Sequence, residues 1–131
     1  MELNQIFVMQ VLFSVFMAIL FIQSGLDKLF NWKDEKAFYK EHFSKTFLAK
    51  TIDLLMPTIT LAELAAGFLS GIGVIYYIST GDKMLACIGM LLANLSILML
   101  FFGQRVAKDY GGAATLVSYF IVSAAGLYFY W

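Results

Sequence analysis

The sequence predicts an all-α integral membrane protein, an up-down four-helix bundle with a short interfacial helical segment between its first two helices. Three observations carry that reading. Hydrophobic residues make up 61% of the 131-residue chain and charged residues only 14%, far from the roughly half and quarter of a soluble domain. The apolar residues fall into four runs, each close to the ~20 residues a bilayer crossing requires. The polar residues collect in the connections between those runs, chiefly in one of them.

The first run covers about residues 6–26, and residues 1–131 read as a single domain. "MELNQIFVMQVLF" lacks a basic region and a small-residue cleavage site, so this run is expected to be a retained helix rather than a cleaved leader. The second covers about 57–78, with Pro57 taken as its first helical residue, where a missing N–H does no harm. The third covers about 84–104 and the fourth about 112–131. Helices follow because the runs are too few and too long for a barrel. The links "STGDK" and "RVAKDYG" are short, which favours antiparallel neighbours. The longer link, residues 31–56, places Lys33, Lys36 and Lys40 among Phe38, Tyr39, Phe43 and Phe47, a pattern that suits short helices lying in the membrane surface.

Charge placement predicts orientation. Lys28, Lys33, Lys36, Lys40, Lys45, Lys50, Arg105 and Lys108 belong to the first and third connections and their helix ends; the other side holds only Lys83. That asymmetry puts those two connections in the cytoplasm and both termini outside. Tyr76, Tyr77, Tyr128, Tyr130 and Trp131 would then form an aromatic belt at the outer surface.

Several functions are excluded by composition. Zero net charge gives no reason to expect nucleic-acid binding. A lone cysteine, Cys87, offers no disulfide or thiol-built zinc site, and a lone histidine, His42, read as a surface residue, cannot ligate haem from both sides. No metal site is expected, no nucleophile–base pair is readable, and any enzyme role would be accessory. The partners expected are membrane lipids and other membrane subunits.

The candidate site lies where polar residues enter the apolar runs. Gln10, Ser14, Phe21, Ser24, Gly25 and Lys28 share about a third of the first helix's circumference, whereas Gln23 and Asp27 point elsewhere. Glu63 lies about 9 Å past Pro57 along the second helix. A carboxylate at such depth must pair, take a proton or meet water. Thr60, Gly67, Ser70 and Gly71 share its face, and Gly67 with Gly71 has the spacing that lets a second helix approach closely. Cys87, Asn94 and Arg105 share a face of the third helix; Thr115, Tyr119, Gly126 and Tyr130 share one of the fourth. The candidate polar cluster is therefore Lys28, Glu63, Arg105, Asp109 and Asn94, with Gly25, Gly67 and Gly71 as packing residues and Asp53 in the same leaflet. Plainer readings exist for each: Lys28 reaching the headgroups, Arg105 and Lys108 obeying charge asymmetry alone, and Glu63 in a structural ion pair with Lys28 or Arg105.

"SGLDKLF" closing the first helix, "ELAAGFLSGIG" in the second and "DYGGAATL" opening the fourth together resemble the DoxX-like family of small bacterial four-helix membrane proteins. The resemblance spans nearly the whole chain and singles out Gly25, Lys28, Glu63 and Gly67, with Asp109 next. It implies a multi-pass protein of the bacterial cytoplasmic (inner) membrane, an accessory subunit of a larger redox complex. Such a subunit would help form a quinone-proximal polar site while binding no cofactor alone. Relatives often carry an arginine early in the first helix, where this chain has Gln10 and Ser14, so an anion-binding role resting on that arginine is not expected. The alternatives are a purely structural or assembly subunit and, after it, a small transporter or lipid-binding protein.

Overall fold

The computed structural model describes residues 4–131, and among these the regular elements are all helical. They are α1 (Gln5–Phe30), α2 (Trp32–His42), a short 3₁₀ turn (Ala49–Thr51), α3 (Ile52–Thr80), α4 (Met84–Val106) and α5 (Tyr110–Tyr130). Four segments are long and apolar enough to cross a membrane: Gln5–Phe30, Ala49–Thr80, Met84–Val106 and Tyr110–Tyr130.

Local chemistry sets the ends. The Asn4 side chain accepts the Phe7 N–H at 2.7 Å and starts α1, the N-cap role that favours asparagine. Gly81, at φ 82°, closes α3 by donating to the Tyr77 carbonyl, and Asp109 caps α5 by accepting from the Gly112 N–H at 3.0 Å. Lys108 takes a left-handed conformation, φ 60°, to make the tight turn from α4 into α5.

Two expectations about the second crossing change. The helix starts at Ile52 rather than Pro57, because the 3₁₀ turn at Ala49–Thr51 leads directly into it. Pro57 therefore sits inside α3. The carbonyl that loses its usual donor is that of Asp53, on an exposed part of the first turn, where the loss is small. Glu63 in consequence lies about 16 Å into its helix, not 9 Å.

Packing follows the small residues. Gly25 meets Leu64, Gly67 meets Ile22 and Gly71 faces Ala18, so positions rise on α1 as they fall on α3. Gly73 lies on Ala86 and Gly89 on Ser70, giving the same opposition between α3 and α4. Met90 touches Gly126, Asn94 bonds Ser123, and Gln104 lies beside Gly112, which does the same for α4 and α5. Met17, Phe21, Ala66, Ala86, Met90, Ala93, Ile97 and Tyr130 form the core. Leu61, Ile75, Ile19 and Ile121 are exposed instead, the outward apolar surface that lipid would cover.

Near the start of α1 and the last turn of α5, side chains expected in an aromatic belt turn inward. Tyr76, Tyr128 and Trp131 are exposed, but Tyr130 is buried. Its hydroxyl bonds that of Ser14 and donates to the Gln10 carbonyl at 3.1 Å. Tyr77 donates to Gln10 Oε1 at 2.7 Å, and Gln10 Nε2 donates to the Phe129 carbonyl at 2.8 Å. Gln10 and Ser14 thus tie α1 to α3 and α5. Tyr130→Phe is expected to lower stability by about 1–2 kcal/mol, the scale of a buried hydroxyl losing its partners, measured by thermal unfolding in nanodiscs.

Candidate functional site

At the opposite end of the bundle from that network, α1 and α3 bring Lys28 and Glu63 together. Lys28 Nζ lies 2.9 Å from Glu63 Oε1 and donates to Ser24 Oγ at 3.1 Å. The Ser24 hydroxyl in turn donates to Glu63 Oε2. Ser24 and Lys28 are one turn apart, on the polar stripe of α1, and Gly25 and Gly67 let α3 come close enough for Glu63 to reach them. Glu63 is 0% and Lys28 6% exposed. A charge so enclosed is tolerable only with its partner, and this pair with its bridging hydroxyl is neutral overall.

The other candidate residues have different partners. Arg105 is exposed and stacks over the Tyr110 ring at 4.7 Å, which leaves Lys28 as the partner of Glu63 among the described basic residues. Asp109 caps α5 and lies 3.7 Å from His42 Nε2. Asn94 Nδ2 donates to Ser123 Oγ at 3.0 Å, joining α4 to α5 deeper in the bundle. Asp53 pairs with Lys36 at 2.8 Å and Lys40 at 3.4 Å, tethering α2 to the start of α3. No cluster of three or more potential metal-binding side chains occurs among the described residues.

α2 folds back beneath the bundle, a placement the sequence did not reveal. His42, expected on the surface, is half-buried, and its Nε2 lies 2.7 Å from Gln104 Oε1. Phe43 packs against Gly103. The same fold-back sets the Tyr39 phenol beside the Lys28 ammonium; burial pushes that phenol's pKa up, with Lys28 working against the rise. Asn31, which separates α1 from α2, was the available signal, since it allows the chain to turn there.

Between α2 and the ends of α1, α3, α4 and α5 lies a half-open cleft of about 790 Å³. Ser24, Lys28 and Tyr39 form its polar end; Thr58, Gln104 and Thr115 are further polar lining residues, and Leu55, Ile59, Met99, Phe102 and Leu116 are among its apolar walls. Leu55, Met99 and Phe102 are also exposed on the outer surface of the bundle. The cleft thus joins hydrogen-bonding groups to a surface suited to lipid, and its size is that of a small-molecule site.

The class these features define is a multi-pass α-helical membrane protein with a polar-ended cleft beside a buried ion pair. No protein-family model matches this chain, and neither a curated protein nor a solved structure does. The resemblance to the DoxX-like family therefore rests on the sequence motifs alone.

Proposed function

We propose that this chain is a small subunit of a membrane redox complex, an up-down four-helix bundle that seats a quinone headgroup in its cleft. The observation that carries the reading is the cleft itself, polar at one end and apolar toward lipid. A quinone ring has two carbonyl acceptors and a hydrocarbon tail. Tyr39 O–H and the Lys28 ammonium would serve the carbonyls, and the wall of Leu55, Met99 and Phe102 the tail. Electrostatics favours this occupant over an anionic lipid, because Glu63 already neutralises Lys28. Electrons would come from a partner chain, and the protein alone would bind without turnover.

The motifs that resemble the DoxX-like family support this assignment, since Gly25, Lys28, Glu63 and Gly67 all belong to the contact behind the cleft. Lysine and arginine asymmetry supports a bacterial inner-membrane orientation with the cleft toward the cytoplasm and both ends of the chain outside. A second reading, a site for a neutral lipid, draws on the same opening toward the bilayer.

The test is titration of the purified protein in nanodiscs with a short-tailed benzoquinone. Saturable binding is expected, weakened about ten-fold by Tyr39→Phe, the value of one hydrogen bond of ~1.4 kcal/mol. Absence of saturable binding would overturn the proposal, and so would equal affinity in the variant. Displacement of a co-purifying neutral lipid, with no response to quinone, would favour the second reading.

A further inference from the structure

On the outer face of α1 and α3, away from the cleft, runs a shallow groove of about 500 Å³. Its walls include Val15, Ile19, Ile22 and Ile75; Gly71 lies at its floor and Gln23 at one end. Two features of it are unexplained by the fold. Gln23 is exposed about 10 Å inside the end of α1, within an apolar span, and its amide makes no side-chain hydrogen bond among the described residues. A polar side chain without a partner inside a membrane-spanning segment is costly. Gly71, moreover, is not needed for the α1–α3 approach. A Cβ there would make ordinary contacts with Ala18 at 3.5 Å and Ile22 at 4.0 Å, whereas at Gly67 it would strike the Ile22 backbone at 2.7 Å.

We infer that this groove is a homodimer interface in which the Gln23 amides of two copies bond to each other across a two-fold axis. An amide both donates and accepts, so it is complementary to its own symmetry mate, as an isologous contact requires. Interhelical hydrogen bonds of this kind, together with small residues that admit a neighbouring side chain, drive helix association in lipid. The open floor at Gly71 then receives an apolar side chain, Ile19 or Val15, from the second copy. The groove carries no charged side chain that would select a different, charged partner.

The experiment uses the full chain with Cys87→Ser, reconstituted in bilayers and diluted with lipid while the dimer fraction is read by single-molecule photobleaching. A reversible dimer is expected. Gln23→Leu should lower its association constant about ten-fold, on the scale of two interhelical amide hydrogen bonds, and Gly71→Leu should lower it at least as much. Gln23→Asn should retain most of it. Ile19→Cys in the same background should give a disulfide-linked dimer in native membranes. Because none of these positions lines the cleft, benzoquinone binding should be unchanged and reports that each variant is folded. A wild-type chain that stays monomeric at every dilution overturns the inference. So does a dimer indifferent to both Gln23→Leu and Gly71→Leu, or an Ile19→Cys cross-link formed only to another polypeptide.

Discussion

Lys28→Met is expected to destabilise the protein by about 3–5 kcal/mol, and adding Glu63→Leu should recover most of that loss. The single change leaves a wholly buried carboxylate with the Ser24 hydroxyl as its remaining partner, and breaking a buried pair from one side carries a penalty of that size. The double change removes both charges and fills their space with apolar groups, an exchange that is often neutral or stabilising. Unfolding by graded denaturing detergent in mixed micelles gives both numbers. Benzoquinone binding separates stability from function: the double variant should be stable yet bind poorly, since the ammonium at the cleft's polar end is gone. If Lys28→Met lost less than about 1 kcal/mol, the enclosed ion pair would not be the joint between α1 and α3 described above.

Gly73→Ala is expected to cost about 3 kcal/mol or more, the upper range for overpacking a tight contact. The new Cβ would lie 2.5 Å from the Ala86 nitrogen and 2.7 Å from its Cα. Both are backbone atoms, so no rotamer change relieves the clash and α3 must move off α4. Gly89→Ala should behave alike, its Cβ falling 2.5 Å from the Ser70 nitrogen. Gly71→Ala is the control. Within one chain it meets no such obstacle, and alanine's better helix propensity makes the monomer's stability unchanged or up to about 1 kcal/mol higher. Equal losses at Gly73 and Gly71 would contradict the helix contacts described here.

These glycines show where the sequence stops informing. Gly67 and Gly71 have the spacing of a packing pair, yet only Gly67 sits under another helix's backbone. Gly73 and Gly89, which lie against the facing backbone between α3 and α4, carried no signal, because a glycine in an apolar run looks the same whichever way it faces. Pro57 misled for a related reason. Proline's preference for the first turn is local, whereas α3 starts where the 3₁₀ turn at Ala49–Thr51 runs directly into it.

For the site, Lys28 and Glu63 were legible because a charge inside an apolar run must be resolved by a partner, and the stripe through Ser24, Gly25 and Lys28 pointed inward. Arg105, Asp109 and Asn94 were grouped with them on leaflet and helix face alone. Those criteria fix depth and direction but not which helices adjoin, and the structure gives them to Tyr110, to the α5 cap and His42, and to Ser123. Tyr39 could not be foreseen at the cleft, nor His42 against Gln104, since both reach those places only when α2 folds back under the bundle.

The sequence by itself determined that four apolar helices form and that one end of them gathers buried charge. Hydropathy and periodicity are properties of consecutive residues, and the solvation cost of an isolated charge does not depend on the fold. Tertiary structure alone decided which glycines admit a backbone, that Tyr77 and Tyr130 turn inward to Gln10 and Ser14, and that a cleft opens beside Lys28. Each of those depends on contacts between helices far apart in the chain, where close approach and hydrogen-bond geometry take over from local pattern.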